Sequence, residues 1–177
     1  MPSRELSPAL TRAASLIRSI PDYPEPGVLF RDITPLLADR DALRATTDAL
    51  IEPFAGTFDY VAGIEARGFL IAGTAAIAAG VGLIPIRKAG KLPRPAASVD
   101  YSLEYGTATV EMHDDLPAGS RVLLIDDVLA TGGTLAAGRR LIEQLHSQVV
   151  GISVLFEIDS LGGREAIGDL HTVFHSA

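Results

Sequence analysis

Apolar positions along this chain follow two periods, and the switches between them outline its elements. After Ser7-Pro8, a good cap and first-turn pair, Leu10, Ala13, Ala14, Ile17 and Ile20 recur at helical spacing and predict a first helix. Residues 21–34 hold three prolines and Gly27 and read as an ordered loop. A second helix is expected over about 41–51, then a strand over 60–64, a turn over 65–68 and an Ala-rich helix over 69–79. Gly80-Val81-Gly82 breaks that helix, and 83–86 reads as a short buried strand before a loop over 87–94. From 105 to 113, Ala108, Val110 and Met112 alternate with Thr107, Thr109 and Glu111, which predicts a half-buried antiparallel strand. Residues 122–125 are all apolar and too few for a helix, so they read as a strand buried on both faces. Leu135, Gly138, Leu141, Ile142 and Leu145 return to helical spacing, and 149–156 reads as a last strand.

Strands alternating with helices, the strands mostly apolar, imply an α/β fold: a mostly parallel central sheet with helices on both faces. Neither repeats nor linkers stand out, so residues 1–177 are expected to form a single domain. In such sheets ligands bind beyond the carboxyl ends of the strands, which is where each motif below falls.

Composition narrows the classes. An apolar fraction of 47% and a charged fraction of 21% are those of a globular domain. A formal charge of −7 argues against a general binder of nucleic acid or of membrane surfaces, though not against anionic substrates. The chain has no Cys, which excludes disulfides and thiolate metal sites and fits a reducing compartment. The longest uncharged run, 68–86, has the length of a membrane span but divides at Gly80-Val81-Gly82 into a helix and a strand. Arg4, Arg12 and Arg18 mimic a mitochondrial presequence, but the Ser7-Pro8 start favours a structural helix.

The most telling stretch is Val-Leu-Leu-Ile-Asp-Asp-Val-Leu-Ala-Thr-Gly-Gly-Thr, residues 122–134. A buried strand leads into Asp126 and Asp127, and then into Ala130, Thr131, Gly132, Gly133 and Thr134 ahead of a helix. The loop's N–H groups and hydroxyls can wrap a phosphate, and the helix dipole favours one there. Two adjacent carboxylates repel phosphate but suit neutral hydroxyls, such as those of a ribose beside it. No Lys precedes Thr134, so this is not an ATP-type P-loop, and the G-x-G-x-x-G spacing of dinucleotide binders is absent.

The acid pair and Thr-Gly-Gly-Thr loop resemble the phosphoribosyl-pyrophosphate signature of the type I phosphoribosyltransferases. The resemblance implies that Asp126 and Asp127 bind the ribose 2′- and 3′-hydroxyls and that the loop binds the 5′-phosphate. Glu65-Ala66-Arg67-Gly68 resembles the family's pyrophosphate loop, which often carries a non-proline cis peptide, here expected near Glu65–Ala66. Arg67 is then the fork-shaped cation facing pyrophosphate. Arg87, Lys88, Lys91 and Arg94 fall within eight residues, and Tyr-Ser-Leu-Glu-Tyr-Gly follows at 101–106. Together they resemble the flexible loop of the adenine-using members, which closes over the site, and the resemblance implies an antiparallel hairpin there. Glu104 would then donate a proton to purine N7, with Tyr105 positioning the closed loop and Arg87, Lys88 and Lys91 serving the pyrophosphate. Tyr-Pro-x-Pro-Gly-Val-Leu-Phe-Arg-Asp-Ile, 23–33, is similar to the family's small N-terminal hood over the base. That similarity implies that Phe30 stacks on the ring and that the backbone near Leu29 and Arg31 reads adenine's edge. Ile158, in Glu157-Ile158-Asp159-Ser160-Leu161-Gly162-Gly163-Arg164, would be the apolar partner on the other face.

Two positions bear on the base. Members that use 6-oxopurines place an Asp where this chain has Ala130, and usually a Glu where it has Asp126. Glu65-Ala66 stands where some members have Asp-Ser, and Ile158 where some have Leu. The resemblance therefore implies transfer of phosphoribosyl from phosphoribosyl pyrophosphate to adenine, giving AMP and pyrophosphate, as cytoplasmic purine salvage. Magnesium would be held mainly by substrate oxygens and water rather than by protein ligands. A homodimer is also implied, with neither nucleic acid nor membrane as partner. Two alternatives stand: the same reaction on another purine such as xanthine, and a non-catalytic sensor of phosphoribosyl pyrophosphate. His113 and His146 carry no clear role. His171 and His175 are four apart, a metal-ligand spacing if helical but a surface pair in a terminal strand or tail.

Overall fold

The computed structural model describes residues 6–23, 25–103 and 106–176. They fall into two compact units, Met1–Ala49 and Leu50–Ala177.

In the first unit, α1 (Pro8–Ser15) starts where expected, with the Ser7 hydroxyl accepting from Leu10 N–H at 3.3 Å. It stops short of Ile17 and Ile20. Residues Arg18–Pro21 form β1, which pairs antiparallel with β2 (Leu29–Asp32) from Arg18↔Asp32 to Pro21↔Leu29. Within the 21–34 stretch expected as a loop, Leu29–Asp32 is therefore the second arm of a hairpin. Its turn holds Gly27 at φ +88°, with Gly27 N–H donating to Asp22 Oδ1 at 2.8 Å. Cross-strand pairing overrides the helical spacing here, because all four β1 residues are exposed and carry no burial signal. Pro35 then opens a short helix, α2 (Thr34–Ala38), before α3 (Arg40–Ile51).

The second unit is built on a seven-stranded sheet: β3 (Tyr60–Ile64), β4 (Gly82–Lys88), β5 (Ala97–Leu103), β6 (Gly106–Met112), β7 (Arg121–Leu129), β8 (Gln148–Glu157) and β9 (His171–His175), in spatial order 5-6-4-3-7-8-9. The strands from β4 to β9 in that order run parallel, and β6 and β5 add an antiparallel edge. Helices α4 (Arg67–Ala79), α5 (Gly133–Gln144) and α6 (Gly163–Ile167) complete the unit.

Several elements outrun their expected ends because neighbouring strands extend them. Arg87 and Lys88 belong to β4, where they pair with Glu111 and Val110, rather than to a loop. Strand β7 continues through the acid pair, since Asp126 pairs with Val154 and Leu129 with Glu157. Strand β5 pairs antiparallel with β6 and completes the hairpin; Ala97 and Val99 are buried while Ser98 and Asp100 are exposed, a half-buried alternation. His171 and His175 lie on strand β9, which removes the helical metal-ligand spacing. Among the described residues, no helix is long and apolar enough to cross a membrane.

Candidate active site at the sheet's switch point

The chain leaves β3 toward β4 on one side and leaves the adjacent, parallel β7 toward β8 on the other. Right-handed crossovers in opposite directions put α4 and α5 on opposite faces of the sheet. Gly63 of β3 accordingly lies against Ala72 of α4, while Gly138 of α5 lies against Ile64, Leu124 and Ile86. The two connections diverge at the carboxyl ends of β3 and β7, the crevice where open α/β sheets take ligands.

Residues 65–67 enter this crevice from β3. A cis peptide bond joins Glu65 to Ala66, at the place expected. No side chain caps the first turn of α4. Gly68 permits a close approach: a Cβ there would stand 2.6 Å from Asp126 Oδ1. Glu65 is tied down, because Arg87 donates to its two oxygens at 3.1 and 3.3 Å and Lys88 N–H donates at 3.0 Å. Those Arg87 hydrogen bonds hold the Glu65 carboxyl below its ordinary range despite burial, and Arg87 is raised in return. The Arg87 guanidinium also stands 6.0 Å from the centre of the Phe69 ring. Glu65 and Arg87 therefore largely neutralise each other, and the Lys88 and Lys91 side chains remain exposed nearby.

The acids enter from β7. Asp126 and Asp127 are only 8% and 7% exposed. Asp127 N–H donates to Asp126 Oδ1 at 2.9 Å. Arg67 Nη2 lies 2.7 Å from Asp127 Oδ2 as an ion pair, out of line for a hydrogen bond. Burial first, and the Asp127 charge second, push the Asp126 carboxyl well above the ordinary aspartate range; Arg67 offsets this only in part.

The loop after β7 is shaped for an anion. Gly132 caps α5 at φ +84° without a side-chain cap, so the first-turn N–H groups stay available. A Cβ at Gly132 would meet Gly163 O at 2.8 Å. Thr131 is exposed, and Ala130, Gly133 and Thr134 are half-buried. The crevice thus brings together Arg67, Asp126, Asp127 and the 130–134 loop.

The other expected residues lie on other segments of the chain. Ile158 follows β8, and its N–H donates to Leu129 O at 2.9 Å. Leu29, Phe30 and Arg31 lie on β2 of the first unit, Phe30 edge-on to Tyr23 at 5.2 Å and Arg31 donating to the Ser19 hydroxyl. Glu104 and Tyr105 lie outside the described residues. The sequence reading missed the contact of Gly68 with Asp126 and that of Gly163 with the phosphate loop. Only the Gly-Gly-Arg at 162–164 hinted at the second.

Fold and crevice together define an open-sheet α/β protein with an acid pair and a glycine loop at its topological switch point. The chain belongs to the phosphoribosyl transferase domain family, whose model matches residues 36–172. It is 62% identical over 153 residues to the adenine phosphoribosyltransferase of Renibacterium salmoninarum, covering 86% of this chain and 84% of that one. The crystal structure of adenine phosphoribosyltransferase from Rhodothermus marinus superposes with a TM-score of 0.89 at 46% identity, covering 95% of this chain and 98% of that one. That of the Saccharomyces cerevisiae enzyme, complexed with an iminoaltritol bisphosphate and adenine, gives 0.86 at 35% identity, covering 94% and 98%.

Proposed function

We propose that this chain transfers the 5-phosphoribosyl group of phosphoribosyl pyrophosphate to adenine, giving AMP and pyrophosphate. The observation that carries the reading is a buried acid pair beside an uncapped, glycine-started helix at one switch point. One family model runs across both compact units, which supports reading 1–177 as one catalytic domain. Adenine as acceptor is supported by relatives at up to 62% identity that are adenine phosphoribosyltransferases.

In this reading the 130–134 loop anchors the 5′-phosphate, and Asp126 and Asp127 orient the ribose hydroxyls. Purine N9 attacks C1 as pyrophosphate leaves through a ribooxocarbenium-like transition state. Arg67, Lys88 and Lys91 stabilise the charge that builds on the leaving group. Glu65 and Arg87 shape that loop by holding each other. Glu104 protonates N7 as N9 releases its proton to solvent and takes the N7 proton back once AMP has formed, and Tyr105 positions the loop that carries it. Leu29, Phe30, Arg31 and Ile158 contact the base, on the resemblance of their segments. Asp127 Oδ2, buried and without an aligned donor among the described residues, suits a water-bridged magnesium ion. When bound, that ion would neutralise part of the pyrophosphate charge.

The protein acts as a homodimer in the cytoplasm. Leu70, Ile77 and Leu83 support the first point, forming an exposed apolar stripe on α4 and β4 around Gly73. The Cys-free composition is compatible with the second.

The test is pyrophosphate release from phosphoribosyl pyrophosphate and magnesium, with adenine, hypoxanthine, guanine and xanthine offered separately. Release with adenine alone is expected. Release with another base would overturn the acceptor. No release from folded protein that binds phosphoribosyl pyrophosphate would point to a sensor.

A further inference from the structure

The phosphate loop does not stand alone: a second segment, 157–164, is wedged against it. A Cβ at Gly163 would lie 2.3 Å from Ala130 O and 2.7 Å from Leu129 Cδ1. In return, a Cβ at Gly132 would lie 2.8 Å from Gly163 O and 3.0 Å from Ile167 Cγ1. Ile158 N–H donates to Leu129 O at 2.9 Å, which ties the start of the segment to the same strand end. With contacts this close, the segment and the loop cannot shift independently.

What holds the segment is one side chain at its far end. Glu157, the last residue of β8, is 4% exposed. Arg164 grips it through Nε, at 2.8 and 3.0 Å from the two carboxylate oxygens, and through Nη2 at 2.8 Å from Oε2. The same guanidinium donates from Nη1 to Leu170 O at 3.2 Å and from Nη2 to Thr172 Oγ1 at 3.1 Å. Thr172 in turn donates to Glu157 Oε2 at 2.9 Å. From the C-terminal side, Ser176 N–H donates to Glu157 O at 2.9 Å and its hydroxyl accepts from Asp159 N–H at 3.0 Å. Arg164 thus closes the 158–163 turn onto the ends of two strands with a planar, multidentate fork.

We infer that Arg164 is a positioning residue that couples the base-side segment to the phosphate loop, so that both substrates are held through one ion pair whose carboxylate is buried. This rests on the proposed reaction, in which Ile158 meets the base and the 130–134 loop meets the donor's phosphate. Arg164 touches neither substrate and acts through Glu157 and Gly163. Its loss should weaken both substrates together, because a displaced turn moves Ile158 and presses on Ala130 and Gly132.

The test measures KM and kcat for adenine and for phosphoribosyl pyrophosphate in wild type, Arg164→Gln and Arg164→Lys, with folded protein verified by circular dichroism. Arg164→Gln should raise both KM values about tenfold with a much smaller fall in kcat, as expected for misplaced binding groups. Arg164→Lys keeps the charge but loses the fork, so both values should rise by less. If Arg164→Gln does not fold, the Lys variant decides alone. A purely structural role would reduce the amount of active protein and leave both KM values alone, which overturns the coupling. A rise confined to adenine overturns it as well. Wild-type protein that turns over no adenine overturns the functional reading, and this inference with it.

Discussion

Asp126 works against the stability of the fold that holds it. Its carboxyl is buried beside a second acid, so the folded chain binds its proton more tightly than the unfolded chain does. For an acid raised in this way, stability falls as pH climbs from about 4, the ordinary aspartate value, toward the raised one, and stays reduced above it. Asp126→Asn removes that penalty, while its side-chain oxygen can still accept from Asp127 N–H. The variant should melt higher than wild type at pH 7, with the gap closing below about pH 4, and should bind phosphoribosyl pyrophosphate more weakly. Melting curves across pH check this; a gap that ignores pH would remove burial of the charge as its cause. Glu104 presents a chemical rather than an energetic case. Glu104→Gln should fold normally and turn over about 10²–10⁴-fold more slowly, the range for a lost general acid. Unchanged turnover would take Glu104 out of the mechanism.

At the scale of elements, α4 reaches the crevice because two glycines let it lie close to the sheet. A Cβ on Gly63 of β3 would stand 2.5 Å from Ala72 Cβ and 3.0 Å from Gly68 O, and Gly68 itself borders Asp126. The buried face of α4 is correspondingly small-sided, with Ala72, Ala75 and Ala76 beside Ile71. Gly63→Ala should therefore push the helix start outward and cost about 1–3 kcal/mol, the range for overpacking a tight interface. Urea denaturation measures it, and donor KM should rise with it because Arg67 moves with the helix. Wild-type stability in this variant would mean that the backbone gives way freely there.

At the scale of the whole molecule, the opposite face of α4 bears on the proposed homodimer. Ile77 is 84% exposed and Leu70 56%, one helical face apart by seven residues, with Leu83 beside Gly73. An apolar stripe of this kind on an otherwise acidic surface suits burial against a second copy. Ile77→Glu should convert a dimer into a monomer in sedimentation experiments. A variant as dimeric as wild type would place the interface elsewhere.

Strand β3 was legible to the residue because it is a short run buried on both faces, and α3 and α5 nearly so because their burial follows the helical period. The Asp126–Thr134 motif was legible too, since the chemistry of an acid pair and a glycine loop is local. Strand β1 was not, because its four residues are exposed and owe their conformation to the partner strand. The reach of β4 and β7 past their apolar runs was likewise set by neighbours, through hydrogen bonds that no single segment encodes. The sequence by itself determined which residues can carry phosphate and ribose chemistry and in what kind of sheet. Only the tertiary structure decided that Glu65 and Arg87 hold each other, that Asp126 is buried against Gly68, and that Arg164 braces the phosphate loop through Gly163. Those contacts join positions far apart in the chain, and their energies depend on burial and alignment that arise only when the sheet assembles.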